Sequence, residues 1–579
     1  MRYFMVNAGF LLAMTLVFLQ KSEACTNLII TKGASKDGSV MITYAADSHT
    51  RYGAIAFYPA ADHKPGDLCE IFHYETGKLL GRIPEAPHTY SVIQFMNEHQ
   101  VSIGETTWGG LDSLSRQPDA ILDYGSLMRI GLHRSKTARE MIRVITELVR
   151  QYGYASSGES FSISDANEAW IMEIIGKGKY EKGAVWVARL IPDGYVSGHA
   201  NQARITTFPF QKSNDWTDRK QTVYHSGDVI SFAKAHGFYK GNDTTFSFSD
   251  VYNPLNFGGA RFCDARIWSF FRKVNQSIKD DLALTEYARG RLFRESRFED
   301  ESPNPNSFVT NRLPLWIKPD TLVTLKFVMD AMRDHFEDTP LDMRYDFGAG
   351  PYQLPYRWRP MEFTIDSVMY CNERAIATQQ TGYSFVAQSR NWLPDPIGGI
   401  YWFGVDDADG SVYAPMYCGM TEIPKSYALG NGSMIEWSES SAYWTFSQVN
   451  NWCYSRYNLI HPEIEKYQME LENRFIYETA LVDAKALVLY KKEHAKGCDY
   501  VTDFSVYTGN LLVSRWKAFY QYLFMKYIDG NVKQSSGHRI LDNGNGKGVP
   551  KKPSQPGYGK DWERRMIENT GEKFKVLDN

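Results

Sequence analysis

What this sequence lacks narrows it before any motif is found. Its net charge is only −3, and no run of Lys and Arg is long enough to form a basic arm, so nucleic acid is not expected as a partner. No G-x-G-x-x-G follows a strand pattern and no G-x-x-x-x-G-K-[ST] occurs, which leaves nucleotide-binding folds without support. The 13 histidines include no H-E-x-x-H, and none of the seven cysteines (25, 69, 263, 371, 418, 453 and 498) falls in a C-x-x-C pair. Zinc peptidases, zinc ribbons and thioredoxin-like chemistry are therefore disfavoured. Asp406, Asp407 and Asp409-Gly410 read as a turn without EF-hand spacing. Beyond residue 24 no stretch of 18 apolar residues occurs, so the body should carry no transmembrane segment.

What is present is ordinary globular material, 43% hydrophobic and 23% charged over 579 residues, which is ample for a large core. The length allows two to four domains or one large body with insertions, and nothing in it sets an oligomeric state. The first 24 residues differ from the rest. Arg2 is followed by the apolar stretch 10–19, and Ser22-Glu23-Ala24 offers small residues at −3 and −1 of a cleavage site, so 1–24 reads as a secretory signal peptide. The expected location is exported, periplasmic or secreted. Residues 25–541 read as the body, and 542–579, rich in Gly, Pro and Lys, as a polar, loosely ordered tail.

Residues 25–31 and 39–45 read as strands joined through the Lys36-Asp37-Gly38 turn, so the body opens with a hairpin whose first residue is Cys25. More strands are expected near 91–95, 101–103, 161–164, 169–175 and 184–190, and short ones within 361–417. Amphipathic periodicity predicts helices over 137–151, 267–278, 321–336 (with Asp320 as N-cap), 463–491 and 511–528, with a loop at 302–306. This order argues for an α+β fold with a helical insertion and a helical C-terminal region.

A cysteine directly behind a cleavage site is a coincidental strand residue, a lipidation site or a nucleophile whose base is its own amine. Glu23 at −2 fits lipidation badly. The third reading has a physical rationale. An α-amine titrates near 7.7–8.0 and a thiol near 8.5, so proton transfer between them is easy at neutral pH, and one residue holds both within reach. The amine is bare only after the bond before Cys25 is cut, which would make export and activation one event.

The Cys25-Thr26-Asn27 strand, the Lys36-Asp37-Gly38-Ser39 turn and the Asp47-Ser48 pair resemble the start of the dipeptidase A and secernin family of cysteine peptidases. These are N-terminal-nucleophile hydrolases distantly related to penicillin V acylase and choloylglycine hydrolase. The likeness continues through Gly104-Glu105-Thr106-Thr107, Ser164 to Trp170, Gly198-His199-Ala200-Asn201-Gln202, Ala265-Arg266-Ile267-Trp268 and 392–417. It implies an αββα sandwich, two antiparallel sheets between helical layers, and a dipeptidase acting on short peptides without a metal or organic cofactor. By the same likeness Cys25 matches the nucleophile, and Asp47 the acid that positions its amine. Asn201 matches an oxyanion-hole amide, and Arg266 the arginine that holds the nucleophile region. Two positions depart from the pattern. Tyr44 stands where many relatives carry Arg, and Thr106 where the acylases carry a further oxyanion or substrate group.

Plainer readings stand beside these. Asp47 also fits a turn cap, Asn201 a loop tie and Arg266 an ion-pair residue, while Glu105 alone in its motif proves nothing. His49 or His199 could serve Cys25 as a papain-like base. Tyr44, Glu105 and Thr106 are the candidate substrate-binding residues. Two rival functions stay open, an acylase acting on N-acyl amides and a non-catalytic lipoprotein binding glycans or peptides.

Overall fold

The computed structural model describes residues 25–115, 117–295 and 308–577; the expected signal segment and the 302–306 loop lie outside them. Two antiparallel sheets organise the body. One has seven strands, in the order Trp316–Ile317, Val196–His199, Asn27–Ile30, Val40–Asp47, Thr381–Ser389, Ile400–Val405 and Ala414–Tyr417. The other has eight, running from Val223–His225 through Ala184–Leu190, Ala169–Gly176, Gly158–Ser164 and Ser102–Gly109 to three two-residue strands. The α+β reading holds.

Strands at the centre of both sheets are buried on both faces. Every residue of Val40–Asp47 and of Thr381–Ser389 is buried, the pattern expected when each sheet is covered on two sides. The sheets face each other through the Asn27–Ile30 and Val40–Asp47 strands on one side and Ser102–Gly109 on the other. Their approach is close enough to demand glycine. A Cβ on Gly104 would sit 2.1 Å from Asn27 Oδ1 and 3.1 Å from the Thr43 carbonyl. Asn27 Nδ2 crosses the same gap to donate to the Glu105 carbonyl at 2.6 Å.

Helices Tyr124–His133 and Ala138–Tyr152 cover the eight-stranded sheet, and Ala442–Tyr454, Tyr457–Lys492 and His494–Tyr527 lie against the seven-stranded one. Ala138–Tyr152 forms where its periodicity places it. Thr137 caps it by accepting from Glu140 N, Met141, Ile142, Ile145, Leu148 and Val149 are buried, and Gly153 ends it at φ +78°.

Three helix expectations shift. The 267–278 pattern divides into Ala265–Val274 and Gln276–Asp280, because Asn275 turns extended and caps the second piece through Ile278 N. The 321–336 pattern shortens to Leu325–Ala331 with Thr324, not Asp320, as N-cap; Asp320 instead accepts from Gln276 N at 2.6 Å. The 511–528 pattern extends back to His494, so that two long helices separated by Glu493 pack along each other. Within 542–577, Lys560–Thr570 forms a helix with no buried residue, touching the body where Trp562 stacks on Phe347. No helix of the described residues is long and apolar enough to cross a membrane. All seven cysteines are free thiols.

Candidate active site

Cys25 lies two residues before the first strand, Asn27–Ile30, of the seven-stranded sheet, and is 7% exposed. Its Sγ is 3.6 Å from Tyr44 Oη and 3.6 Å from Glu105 Oε1, and Tyr44 donates to that same carboxyl oxygen at 2.5 Å. Tyr44 comes from the neighbouring strand and Glu105 from the facing sheet, so the thiol sits where the two sheets meet. Burial, then the Glu105 and Asp47 charges, push the thiol well above its ordinary range, against smaller lowering by the Asp47 backbone N–H and Tyr44. Cys25 is therefore a protonated thiol at neutral pH.

Arg266 holds the main chain of this residue. It is fully buried, and Nη1 donates to the Cys25 carbonyl at 2.6 Å and to Thr26 Oγ1 at 2.7 Å. Nη2 donates to the Ala200 carbonyl and Asn201 Oδ1, and Nε to the Phe262 carbonyl. Every guanidinium hydrogen thus has an acceptor, an arrangement lysine could not reproduce. Burial, then Arg374, lower Arg266 to about 10, which leaves it cationic at neutral pH.

Asp47 ends the second strand, fully buried. Its carboxylate pairs with Arg374 and accepts from Thr381 Oγ1 at 2.6 Å. Burial raises its pKa, with Arg374, Thr381 and Arg266 opposing. Removing one member of such a pair costs about 3–5 kcal/mol, because the other is left buried and alone. Arg374 gives no local sequence signal, standing 327 residues from its partner.

Asn201 adopts φ +61°, with Oδ1 bound by Arg266 and Nδ2 donating to the Thr107 carbonyl at 2.6 Å. One of its two amide hydrogens is therefore engaged within the fold. Strand alternation turns Thr106 away from Glu105, and its Oγ1 meets His199 Nδ1 at 2.7 Å rather than the thiol. The second ring nitrogen of His199 binds Ser162 Oγ at 2.7 Å. Burial, then Arg204 and Arg266, lower His199 to about 3, so it is neutral with both nitrogens occupied. His49 is exposed, and among the described residues no histidine hydrogen-bonds the thiol.

Glu105 has a further neighbour that local reading missed. Glu159, on the adjacent strand, shares a hydrogen bond with it, and burial raises the Glu105 pKa against Tyr44, Glu159, Arg51 and Cys25. Burial disfavours ionising two such neighbouring carboxyl groups together. Tyr44 is ringed by Phe95, Tyr383 and Phe385 at centroid distances of 5.8–6.0 Å. The wall beside the thiol is thus aromatic, with a single acidic pair set into it. The Asp406 to Asp409 turn lies elsewhere, buried against the C-terminal helices.

An α+β body with a buried thiol and acid at the junction of its sheets is consistent with a hydrolytic enzyme. Residues 68–470 match peptidase family C69, and the chain belongs to that family. Cys25, Tyr44 and Asp47 precede the matched range, whereas Glu105, Glu159, Asn201, Arg266 and Arg374 lie within it. The chain is similar to a probable dipeptidase of Salmonella dublin, 23% identical over 431 residues, covering 70% of this chain and 84% of that protein. It is 24% identical over 472 residues to probable dipeptidase B of Streptococcus pyogenes serotype M1, covering 77% and 82%. Probable dipeptidase A of Streptococcus pyogenes serotype M3 is 23% identical over 505 residues, covering 83% and 94%.

Proposed function

We propose that this protein is an exported cysteine dipeptidase whose nucleophile, Cys25, becomes the N-terminal residue when residues 1–24 are removed. The names of its relatives and its family support peptide-bond cleavage, and the paired sheets with helices on either side support an N-terminal-nucleophile αββα sandwich. In the intact chain the Cys25 nitrogen is an amide and cannot act as a base. Once freed, the amine takes the thiol proton, and the thiolate sulfur bonds to the scissile carbonyl carbon. The proton then passes to the leaving nitrogen as the C–N bond breaks. Water releases the acyl group from the thioester, and the proton returns to sulfur. Arg266 keeps the residue in place through its carbonyl, and Asp47 is the acid available to the new amine.

The observation that carries the reading is the Glu105 carboxyl 3.6 Å from the sulfur, joined to Glu159. A dipeptide presents an α-ammonium one carbon from its scissile carbonyl, and a buried acidic pair beside the nucleophile supplies its counter-charge. An N-acyl amide would bring apolar or neutral groups there and leave the pair unmatched.

Protein beginning at Cys25 should hydrolyse an unsubstituted dipeptide, and N-acetylating that substrate should lower kcat/KM about 10²-fold or more. A form retaining Ala24 should be inactive, since its amine stays acylated. Preference for the N-acyl substrate would favour an acylase, and full activity with Ala24 retained would rule out the amine as base. Intact mass and N-terminal sequencing of protein recovered from its producing cell test the cleavage.

A further inference from the structure

Four residues after Asp47 the chain holds a cation that no carboxylate touches among the described residues. Arg51 is half-buried, and its guanidinium lies 4.4 Å over the Tyr74 ring. Among the described residues it makes no side-chain hydrogen bond or ion pair, in contrast to Arg266 and Arg374, each matched to acceptors. The rings of Tyr74, Tyr383, Tyr124 and Tyr44 surround its charge, and the Glu105 carboxyl is its acidic neighbour. The cage is cross-braced, with Tyr74 Oη 3.4 Å from Tyr383 Oη and the Tyr44 and Tyr383 rings 6.0 Å apart. Tyr44 also contacts the Cys25 sulfur, and the Arg51 charge reaches Glu105. Cation–π contact offsets only part of the cost of desolvating a guanidinium that no carboxylate touches, so the balance favours an anionic ligand.

We propose that the Arg51 tyrosine cage binds the C-terminal carboxylate of the substrate, and so makes the enzyme specific for dipeptides. This rests on the dipeptidase reading and adds a second anchor to it. The ammonium at Glu105 and the carboxylate at Arg51 hold the two ends of a molecule whose charged groups are roughly 6 Å apart when extended. A planar guanidinium offers a carboxylate two parallel N–H donors, and the phenol rings exclude water around them. Among the described residues Arg359 also has no carboxylate within ion-pair distance, though the Asp47 charge reaches it. However, it bonds Gln380 Oε1 at 2.5 Å and lines a separate recess with Arg357 and Arg374, on the Arg374 side of Asp47.

The test compares Ala-Ala with its C-terminal amide, Ala-Ala-NH2, using Cys25-initiated enzyme. Wild type should prefer the free acid by about 10–100-fold in kcat/KM, mostly through KM. Arg51→Met should abolish that preference by losing activity on the acid alone, and Arg51→Lys should restore part of it. Equal wild-type rates on acid and amide overturn the anchor while leaving the dipeptidase reading intact, and this comparison needs no variant to fold. A preference that survives Arg51→Met, or is lost in Arg359→Met instead, overturns it too. Absence of turnover on either substrate overturns the dipeptidase reading, and the anchor with it.

Discussion

The polar cluster around Asp409 and the one around Cys25 are both buried, yet their charges are balanced differently. Asp409 accepts from Tyr457 Oη at 2.8 Å and pairs with His461 at 2.9 Å, while its carbonyl receives Gln468. Asp407 accepts from Tyr454 at 2.6 Å, and Asp406 binds Ser447 and Asn450. Burial opposes charging His335, but Asp409, Glu337 and Asp407 outweigh it and raise it to about 9. These contacts tie the C-terminal helices to the turn after the Ile400–Val405 strand. Around Cys25, burial raises Glu105 beside Glu159 and pushes the thiol up, and no carboxylate among the described residues touches Arg51. The first cluster is complete within the fold and acts as a fastener. The second sets a strained carboxyl and a cation near each other without a direct contact, as a site does when a charged ligand is to complete it.

Four experiments would break or sharpen that contrast, in falling order of effect. Cys25→Ser should reduce turnover by about 10³-fold or more and leave the unfolding midpoint nearly unchanged, since the change is close to isosteric. Wild-type turnover would remove Cys25 from the chemistry. Asp409→Ala should do the reverse, costing about 3–5 kcal/mol in urea titrations because His461 and His335 lose their anion. A loss under 1 kcal/mol would mean that the turn is not a fastener.

The fastener should also titrate. His335 is raised above its unfolded value of about 6.5, so its stabilisation is fully present below that pH and is lost as pH rises through about 9. Burial, then Asp409, raise Asp407 to about 7, so its contribution also falls with rising pH, but between the ordinary carboxyl range and about 7. The unfolding free energy from urea titrations should fall between pH 6.5 and 9.5 by on the order of 2–3 kcal/mol, and His335→Gln should flatten that slope. The smallest effect has the opposite sign. Glu105 is raised, so its ionised form destabilises the fold as pH rises above the ordinary carboxyl range. Glu105→Gln should therefore stabilise the protein by about 1 kcal/mol at pH 7 while lowering kcat/KM on dipeptides. Destabilisation with full activity would make Glu105 structural.

Local rules determined the parts of this protein whose causes are local. The leader-like 1–24 stretch drew attention to Cys25, branched residues around a turn marked the first two strands, and a 3.6-residue period marked Ala138–Tyr152. The helix break at Asn275 was missed because the preference of one residue for extended backbone outweighed a continuous apolar stripe. Only the tertiary structure decided which charges are matched. Glu105 reaches the thiol across 80 residues and Arg374 reaches Asp47 across 327, and no spacing rule spans such distances. The setting of Arg51 among tyrosines is less legible still, since those rings come together only once the chain has folded. Pairing and desolvation depend on which surfaces the sheets bring together, and that packing turned scattered acids, tyrosines and arginines into one site.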